Sequence, residues 1–341
     1  MPEAHKTLTR YTIEQEHRHL DSTGDFSGLL NAISTAVKII ANQVNKGALV
    51  GAPKNLDGIS NEVMIGETEW TGHLAAMTSD RTGDVYPVPQ PYRRGKYLLA
   101  FDPLDGSDTI DVGIPVGTIF SILRSPRPNA PASAADFLQQ GVAQVCAGFA
   151  LYGPSTVLVL TTGDGVDGFT LDRDIGAFIL THPRMRIPES TEEFAINASN
   201  ERFWEPPVKR YVAECLAGRS GTRQRDFTMR WVACLAAETF RILTHGGVFL
   251  DPDDSGAGRP RRPRLLYAAN PIAYVVEQAG GLASTGRQRL MTCVPGGLRE
   301  RVPLIFGSRT EVERIERYHR DRVDLHDDDF SLFNTRSLFR T

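Results

Sequence analysis

Apolar residues at Phe26, Leu29, Leu30, Ile33, Val37, Ile40 and Val44 recur at three- and four-residue intervals, which predicts an amphipathic helix with Ser22, Thr23 and Asp25 as candidate caps. Glycine and proline then break the pattern between Gly47 and Asp57 and again through "TSDRTGDVYPVPQPYRRG". Beyond Lys96 the period changes. Tyr97–Phe101, Gly117–Leu123, Gln144–Leu151 and Thr156–Thr162 are short and rich in β-branched and aromatic residues, and so read as strands, with "YGPS" as the turn between the last two. Farther on, "RDFTMRWVACLAAETFRILTHGG" has a helix-forming core that ends at Gly246 and Gly247, and "VFLDPDD" resumes as a strand. "NPIAYVVEQAGG" predicts a helix with Asn270 as N-cap, Pro271 in the first position and Gly280 and Gly281 at the end. Helices and strands mixed in both halves, with hairpins, predict a layered α/β (α+β) protein rather than a doubly wound sheet. The stretch "THPRMRIPES" is the expected boundary, dividing the chain into 1–188 and 189–341.

Composition narrows the functional classes. A chain of 341 residues with 41% hydrophobic residues has enough apolar surface for two cored domains, and a formal charge of −3 argues against nucleic acid or an acidic membrane as partner. Its first residues, "MPEAHKTLTRYTIEQEHRH", are polar and charged, and no run approaches a membrane span. The four cysteines, Cys146, Cys215, Cys234 and Cys293, form no C-x-x-C pair and read as small buried hydrophobes in a reducing compartment. These features together predict a cytoplasmic protein.

The chemistry concentrates in "YLLAFDPLDGSDTID", where Asp102, Asp105, Asp108 and Asp111 follow a short apolar run at three-residue spacing. On a helix that spacing would make a solvated face. Pro103 has no amide hydrogen and pushes Asp102 toward extended geometry, so the strand is expected to stop at Asp102 and the acids to lie on a turn. Carboxylates crowded on a turn around the Leu104 carbonyl offer hard oxygen ligands to a cation such as Mg²⁺. The run "PDDSGAGRPRRPR" passes from acidic to basic and brings four arginines that could hold a phosphate.

Extended to "RGKYLLAFDPLDGSDTIDVGIPVGTIF", the motif resembles the class I fructose-1,6-bisphosphatases, a family of lithium-sensitive, Mg²⁺-dependent sugar-phosphate phosphatases. "LDGISNE", "GFALYGPSTVLVL", "EFAINASNERFW" and "RLLYAANPIAYVVEQAGG" carry the likeness along the chain. The resemblance implies an α-β-α-β-α sandwich of two domains, an N-terminal allosteric-type domain with the metal motif and a C-terminal domain that binds the sugar phosphate. It implies Asp80, Asp102, Asp105 and the Leu104 carbonyl as ligands of Mg²⁺, or of Mn²⁺ in its place, with Asp57 orienting the attacking water and Ser107 on the phosphate or the nucleophile. For the sugar end it implies Asn200, Trp231 and Arg262, with Arg230 serving the neighbouring subunit of a homotetramer.

Departures from the family pattern gather at the same site. Arg81 and Ala268 stand where the family has glutamates, and Asp80 is one methylene shorter than its counterpart, so the metal is expected to be weakly bound. Asp251 replaces a tyrosine at the distal phosphate, where an anion repels the ligand. Activity on fructose 1,6-bisphosphate is therefore expected to be low, the alternatives being another sugar phosphate as substrate or a non-catalytic sugar-phosphate-binding protein. A regulatory nucleotide site is matched by Thr23, Asp25, Lys96 and Tyr97, with Val142 where an arginine is expected. If Arg230 serves a neighbour, the protein is an oligomer with two-fold symmetry. Light scattering should then give a mass above that of the monomer at micromolar concentration; a monomer would contradict it.

Overall fold

The structure, a computed structural model, describes residues 6–16, 24–50, 55–128, 130–253 and 262–321. Eight strands form the first sheet: β1 (Leu74–Ser79), β2 (Val85–Pro87), β3 (Tyr97–Asp105), β4 (Val116–Arg124), β5 (Gln144–Tyr152), β6 (Thr156–Thr161), β7 (Asp167–Asp172) and β8 (Ala177–His182). Their order is β2-β1-β3-β4-β5-β6-β7-β8, antiparallel except for the parallel pair β1 and β3. The second sheet takes β9 (Glu193–Ile196), β10 (Thr228–Met229), β11 (Val248–Asp251), β12 (Leu282–Ser284) and β13 (Leu304–Gly307) in the order β10-β9-β11-β13-β12. The helices are α1 (Leu8–Glu16), α2 (Asp25–Lys46), α3 (Leu56–Thr68), α4 (Ala134–Phe137), α5 (Pro206–Leu216), α6 (Leu235–His245), α7 (Asn270–Gln278) and α8 (Arg309–Arg320).

Side-chain alternation along the strands decides how these pieces stack. On β4, Phe120 and Ile122 turn to one face and pack with Leu29, Ile33, Val37 and Ile40 of α2 and Met64 of α3. Ile119 turns to the other and packs with Ala236 and Ile242 of α6 and Ile272, Val275 and Val276 of α7. Those two helices meet Ala195, Phe249 and Phe306 of the second sheet, whose opposite face sends Phe194, Ile196, Val248 and Ile305 against Val208 and Val212 of α5 and Val312 and Ile315 of α8. The result is five layers, α-β-α-β-α, as expected. Strands buried on both faces explain why the sequence reads as near-continuous apolar runs rather than as clean alternation.

Three local expectations change. First, β3 does not stop at Asp102 but runs to Asp105. Asp102 faces Ile119 and Asp105 faces Gly117, so one extra residue bulges on β3, where the amide that Pro103 lacks is not needed by the ladder. Thr118 Oγ1 donates to the Pro103 carbonyl at 2.8 Å, so the bulge is held from β4. Second, Asn270 caps nothing: a π-type turn over Leu265–Ala269 leads directly into α7, and Ala269 already has helical dihedrals. Third, α2 begins at Asp25 behind a left-handed Gly24, while Ser22 and Thr23 lie outside the described residues.

Between α5 and α8, Glu311 is fully buried and accepts from Arg223 Nη2 at 2.6 Å and from the Tyr211 hydroxyl at 2.7 Å. Removing one member of such a pair leaves the other's charge uncompensated. Glu311→Gln is expected to destabilise the protein by about 3–5 kcal/mol. Urea unfolding should show it as a lower midpoint; an unchanged midpoint would mean that this network contributes little.

Candidate active site

Three chain segments place the acids. Asp80 follows β1, and its amide donates to the Phe101 carbonyl at 3.0 Å, which keeps it beside the end of β3. Asp57 lies in the first turn of α3, and α3 is fixed to β1 by the Ser79 hydroxyl, which donates to Asn61 Oδ1 at 2.6 Å. Asp102 and Asp105 flank the β3 bulge. Asp102 Oδ1 accepts from the Leu104 amide at 3.1 Å. Asp105 Oδ2 accepts from the Ala236 amide at 2.8 Å and from the Cys234 thiol at 3.2 Å, both at the N-terminus of α6. That helix can come so close because β4 has Gly117 beneath it: a Cβ there would lie 2.4 Å from the Ala236 Cβ.

The four acids line one cleft of about 450 Å³ together with Arg81, Leu104, Ser107 and Asp108. An adjoining cleft of about 460 Å³ shares Asp80, Asp102, Asp105 and Asp108 and continues past Asn197, Asn200, Trp231, Asp251, Arg262, Arg264, Ala268 and Arg301. Of the residues expected at the active site, only Arg230 lies outside both. It is largely exposed, with its Nε 3.5 Å from Glu193 Oε1. Glu193 is also held by Arg241, which pairs with the buried Glu238 at 3.0 Å.

Electrostatics inside the cleft are unfavourable as they stand. Burial raises the Asp102 carboxyl well above the ordinary range, and the charges of Asp105, Asp80 and Asp57 raise it further. Burial also raises Asp105, opposed by its hydrogen bonds from α6 and Cys234. Asp80 is raised by burial against the pull of Arg264 and Arg301. Two arginines answer part of this charge: Arg81 pairs with Asp57 and Arg264 pairs with Asp80. Among the described residues, Asp102 and Asp105 are the two acids of the cleft that no ion pair answers, and exposed Asp108 lies beside them.

Among the described residues, no three His, Cys, Asp or Glu side chains are gathered as a ready-made metal cage. The reason is visible in the pairs just named, since Asp57 and Asp80 are directed to guanidiniums. The donor set that remains, two desolvated carboxylates and the Leu104 carbonyl of the β3 bulge, still fits a hard divalent cation completed by water. Ala268 lines the cleft with a methyl group and supplies no ligand.

Arg264 and Arg301 were not singled out from sequence. Arg264 belongs to the basic run noted above, which was the only signal for it; Arg259 and Arg261 of that run lie outside the described residues. Arg301 has no local signature. Burial and Arg264 lower its pKa, while Asp80 and Asp251 raise it, which places a cation between the two clefts' acids. At the α2 end, Lys96 Nζ lies 3.1 Å and His73 Nδ1 3.4 Å from Asp25. The arginine near Tyr97 is Arg124 on β4, 5.9 Å from the ring centre, whereas Val142 is exposed on a separate turn. Thr23 lies outside the described residues.

The five-layer α/β sandwich with this carboxylate cleft is that of a phosphoric monoester hydrolase, as its relatives show. The chain belongs to the class 1 fructose-1,6-bisphosphatase family. A family model described as Fructose-1-6-bisphosphatase, N-terminal domain, matches residues 6–183, and one described as Fructose-1-6-bisphosphatase, C-terminal domain, matches 187–320. The chain is 54% identical over 349 aligned positions to fructose-1,6-bisphosphatase class 1 of Hydrogenophilus thermoluteolus, covering 98% of this chain and 97% of the relative. It is 51% identical over 347 positions to fructose-1,6-bisphosphatase class 1 3 of Methylibium petroleiphilum, with the same coverage of 98% and 97%. Among solved structures, Leishmania major fructose-1,6-bisphosphatase in holo form superposes with a TM-score of 0.85 at 34% identity, covering 93% of this chain and 99% of that one. Its apo form gives the same TM-score at 35% identity.

Burying charge at Asp102 costs the cation-free protein stability. Its folded pKa is raised above the unfolded value, so the folded state takes up a proton first as the pH falls. Stability should therefore rise on acidification through the folded pKa, and the rise ends near the unfolded value. In EDTA at neutral pH, Asp102→Asn should melt higher than wild type and lose part of that pH dependence; a lower melting temperature would contradict this account.

Proposed function

We propose that the protein hydrolyses fructose 1,6-bisphosphate to fructose 6-phosphate and inorganic phosphate, with Mg²⁺, or Mn²⁺ in its place, as weakly held cofactor. The observation that carries this reading is the convergence of Asp57, Asp80, Asp102 and Asp105 on one cleft that opens into a second lined by Asn200, Trp231 and Arg262. A phosphate ester bound across the two would have its reacting end at the acids and its sugar against the polar groups. The relatives named above are fructose-1,6-bisphosphatases over nearly their whole length, which favours this substrate over another sugar phosphate or a non-catalytic binding role.

Asp102, Asp105 and the Leu104 carbonyl would hold the cation, with Asp80 beside them. When bound, it supplies neutralisation of the phosphoryl oxygens and a lowered pKa for its water. The other roles fall to the chain itself. Asp57 orients the attacking water, and its ion pair with Arg81 fixes which way the carboxylate faces. Ser107 lines the cleft just beyond Asp105 and donates its hydroxyl to a phosphate oxygen. The Trp231 indole keeps a donor for the sugar end, and its ring stacks on Phe249 at 5.6 Å, which holds it flat against the second sheet. Asp251 faces Arg301 electrostatically, so its charge is partly answered within the protein rather than by the ligand.

The same reading includes a cytoplasmic homotetramer acting in gluconeogenic carbohydrate metabolism, with Arg230 reaching a neighbour's pocket. Exposure of Arg230 outside its own clefts is consistent with that role. It also includes a division of the chain at 188, metal motif before and sugar site after.

A phosphate-release screen over a panel of sugar phosphates, with Mg²⁺ and with Mn²⁺, tests the proposal. Fructose 1,6-bisphosphate should be turned over, and Asp102→Asn should reduce kcat by at least about a hundredfold. Release confined to a different sugar phosphate, or undiminished in the Asn variant, would overturn it.

A further inference from the structure

Arg81 is a fixed cation inside the cleft. It lies two residues after Ser79, the last residue of β1, and its guanidinium crosses to Asp57 in the first turn of α3. Space for it is left by α3 itself: a Cβ on Gly58 would lie 3.2 Å from Arg81 Nη2. The side chain is 48% exposed, so the pair with Asp57 does not bury all its donors. Arg264 answers Asp80 in the same way. The two outer acids thus carry their own counter-ions. Among the described residues the inner two do not: Asp102 and Asp105 accept from backbone amides and a thiol.

Phosphoryl chemistry needs positive charge on the transferring oxygens, and a divalent ion or an arginine can supply it. A guanidinium has five donors in a planar fork, so pairing with one carboxylate oxygen leaves others for a phosphate. Its permanent charge also repels a second divalent ion at short range. We propose that Arg81 takes the place of one divalent cation: it neutralises Asp57 and donates to the phosphoryl oxygens, while Asp102 and Asp105 retain the need for a single metal ion. The substrate class rests on the phosphatase reading above. The test does not, because it reads binding rather than turnover.

Two calorimetric titrations of the full-length protein distinguish the outcomes. With one equivalent of Mn²⁺ per chain, inorganic phosphate should bind to wild type, and Arg81→Gln should weaken it by roughly tenfold or more. Arg81→Lys, which keeps the charge and loses the fork, should fall between the two. With phosphate saturating, wild type should take up one Mn²⁺ per chain, whereas Arg81→Glu, which returns a carboxylate to the cleft, should take up two. Thermal unfolding of each variant separates lost binding from lost fold, and the lysine variant keeps the phosphate comparison readable if the neutral one is unstable. Absence of phosphate binding to wild type with one equivalent of Mn²⁺, equal phosphate affinity in all three proteins, or two Mn²⁺ on wild type would overturn the proposal. A protein that meets these expectations yet releases phosphate from no sugar phosphate would uphold the role of Arg81 and refute only the phosphatase reading.

Discussion

The hydrogen bond from the Ala236 amide to Asp105 joins the first sheet to the helical layer in the middle of the sandwich, at the point where the charged cleft forms. Much of the site follows from it. A carboxylate is stabilised by the free amides at a helix N-terminus, so Asp105 can be buried beside Asp102 without an arginine of its own. For the amide to reach it, α6 must lie almost in contact with β4, which requires glycine at 117. The carboxylate in turn must project from the strand rather than lie in the ladder, which the β3 bulge accomplishes.

The cleft is therefore held by packing rather than by charge balance. Its inner acids repel one another and are kept together because the layers around them are closed by apolar contacts of α2, α3, α6 and α7. Cation affinity is the counterpart of this repulsion, since an ion that relieves it gains whatever the fold gave up in bringing the acids together. The guanidiniums at Asp57 and Asp80 lower that gain, each removing a charge that an ion would otherwise answer.

Much of this was legible in the sequence, for reasons that differ from residue to residue. The α2 helix shows a long apolar period, and the acids of the β3 end are marked by Pro103 and Gly106. The five-layer order came from family resemblance, because strands covered on both faces carry no alternation from which facing could be read. The continuation of β3 past Asp102 was hidden because the effect of Pro103 is local, while the bond that holds the bulge comes from Thr118 on the next strand. Asn270 misled because its cap signal stands behind a helical turn that already satisfies the chain. Arg301 carries no pattern at all: it reaches the cleft only through pairing of its segment with that of Arg264, a long-range contact that no local spacing announces.

Gly58 makes positions 58 and 81 a single unit in space. A Cβ at 58 would press on the guanidinium of Arg81, so the size of one residue bears on the position of the other. An alanine at 58 would require the exposed guanidinium of Arg81 to give way by a few tenths of an ångström, in exchange for a gain in helical propensity. The chemical character of this cleft is thus linked to the rigidity of the helix that frames it, and a change in either would be expected to pass through both.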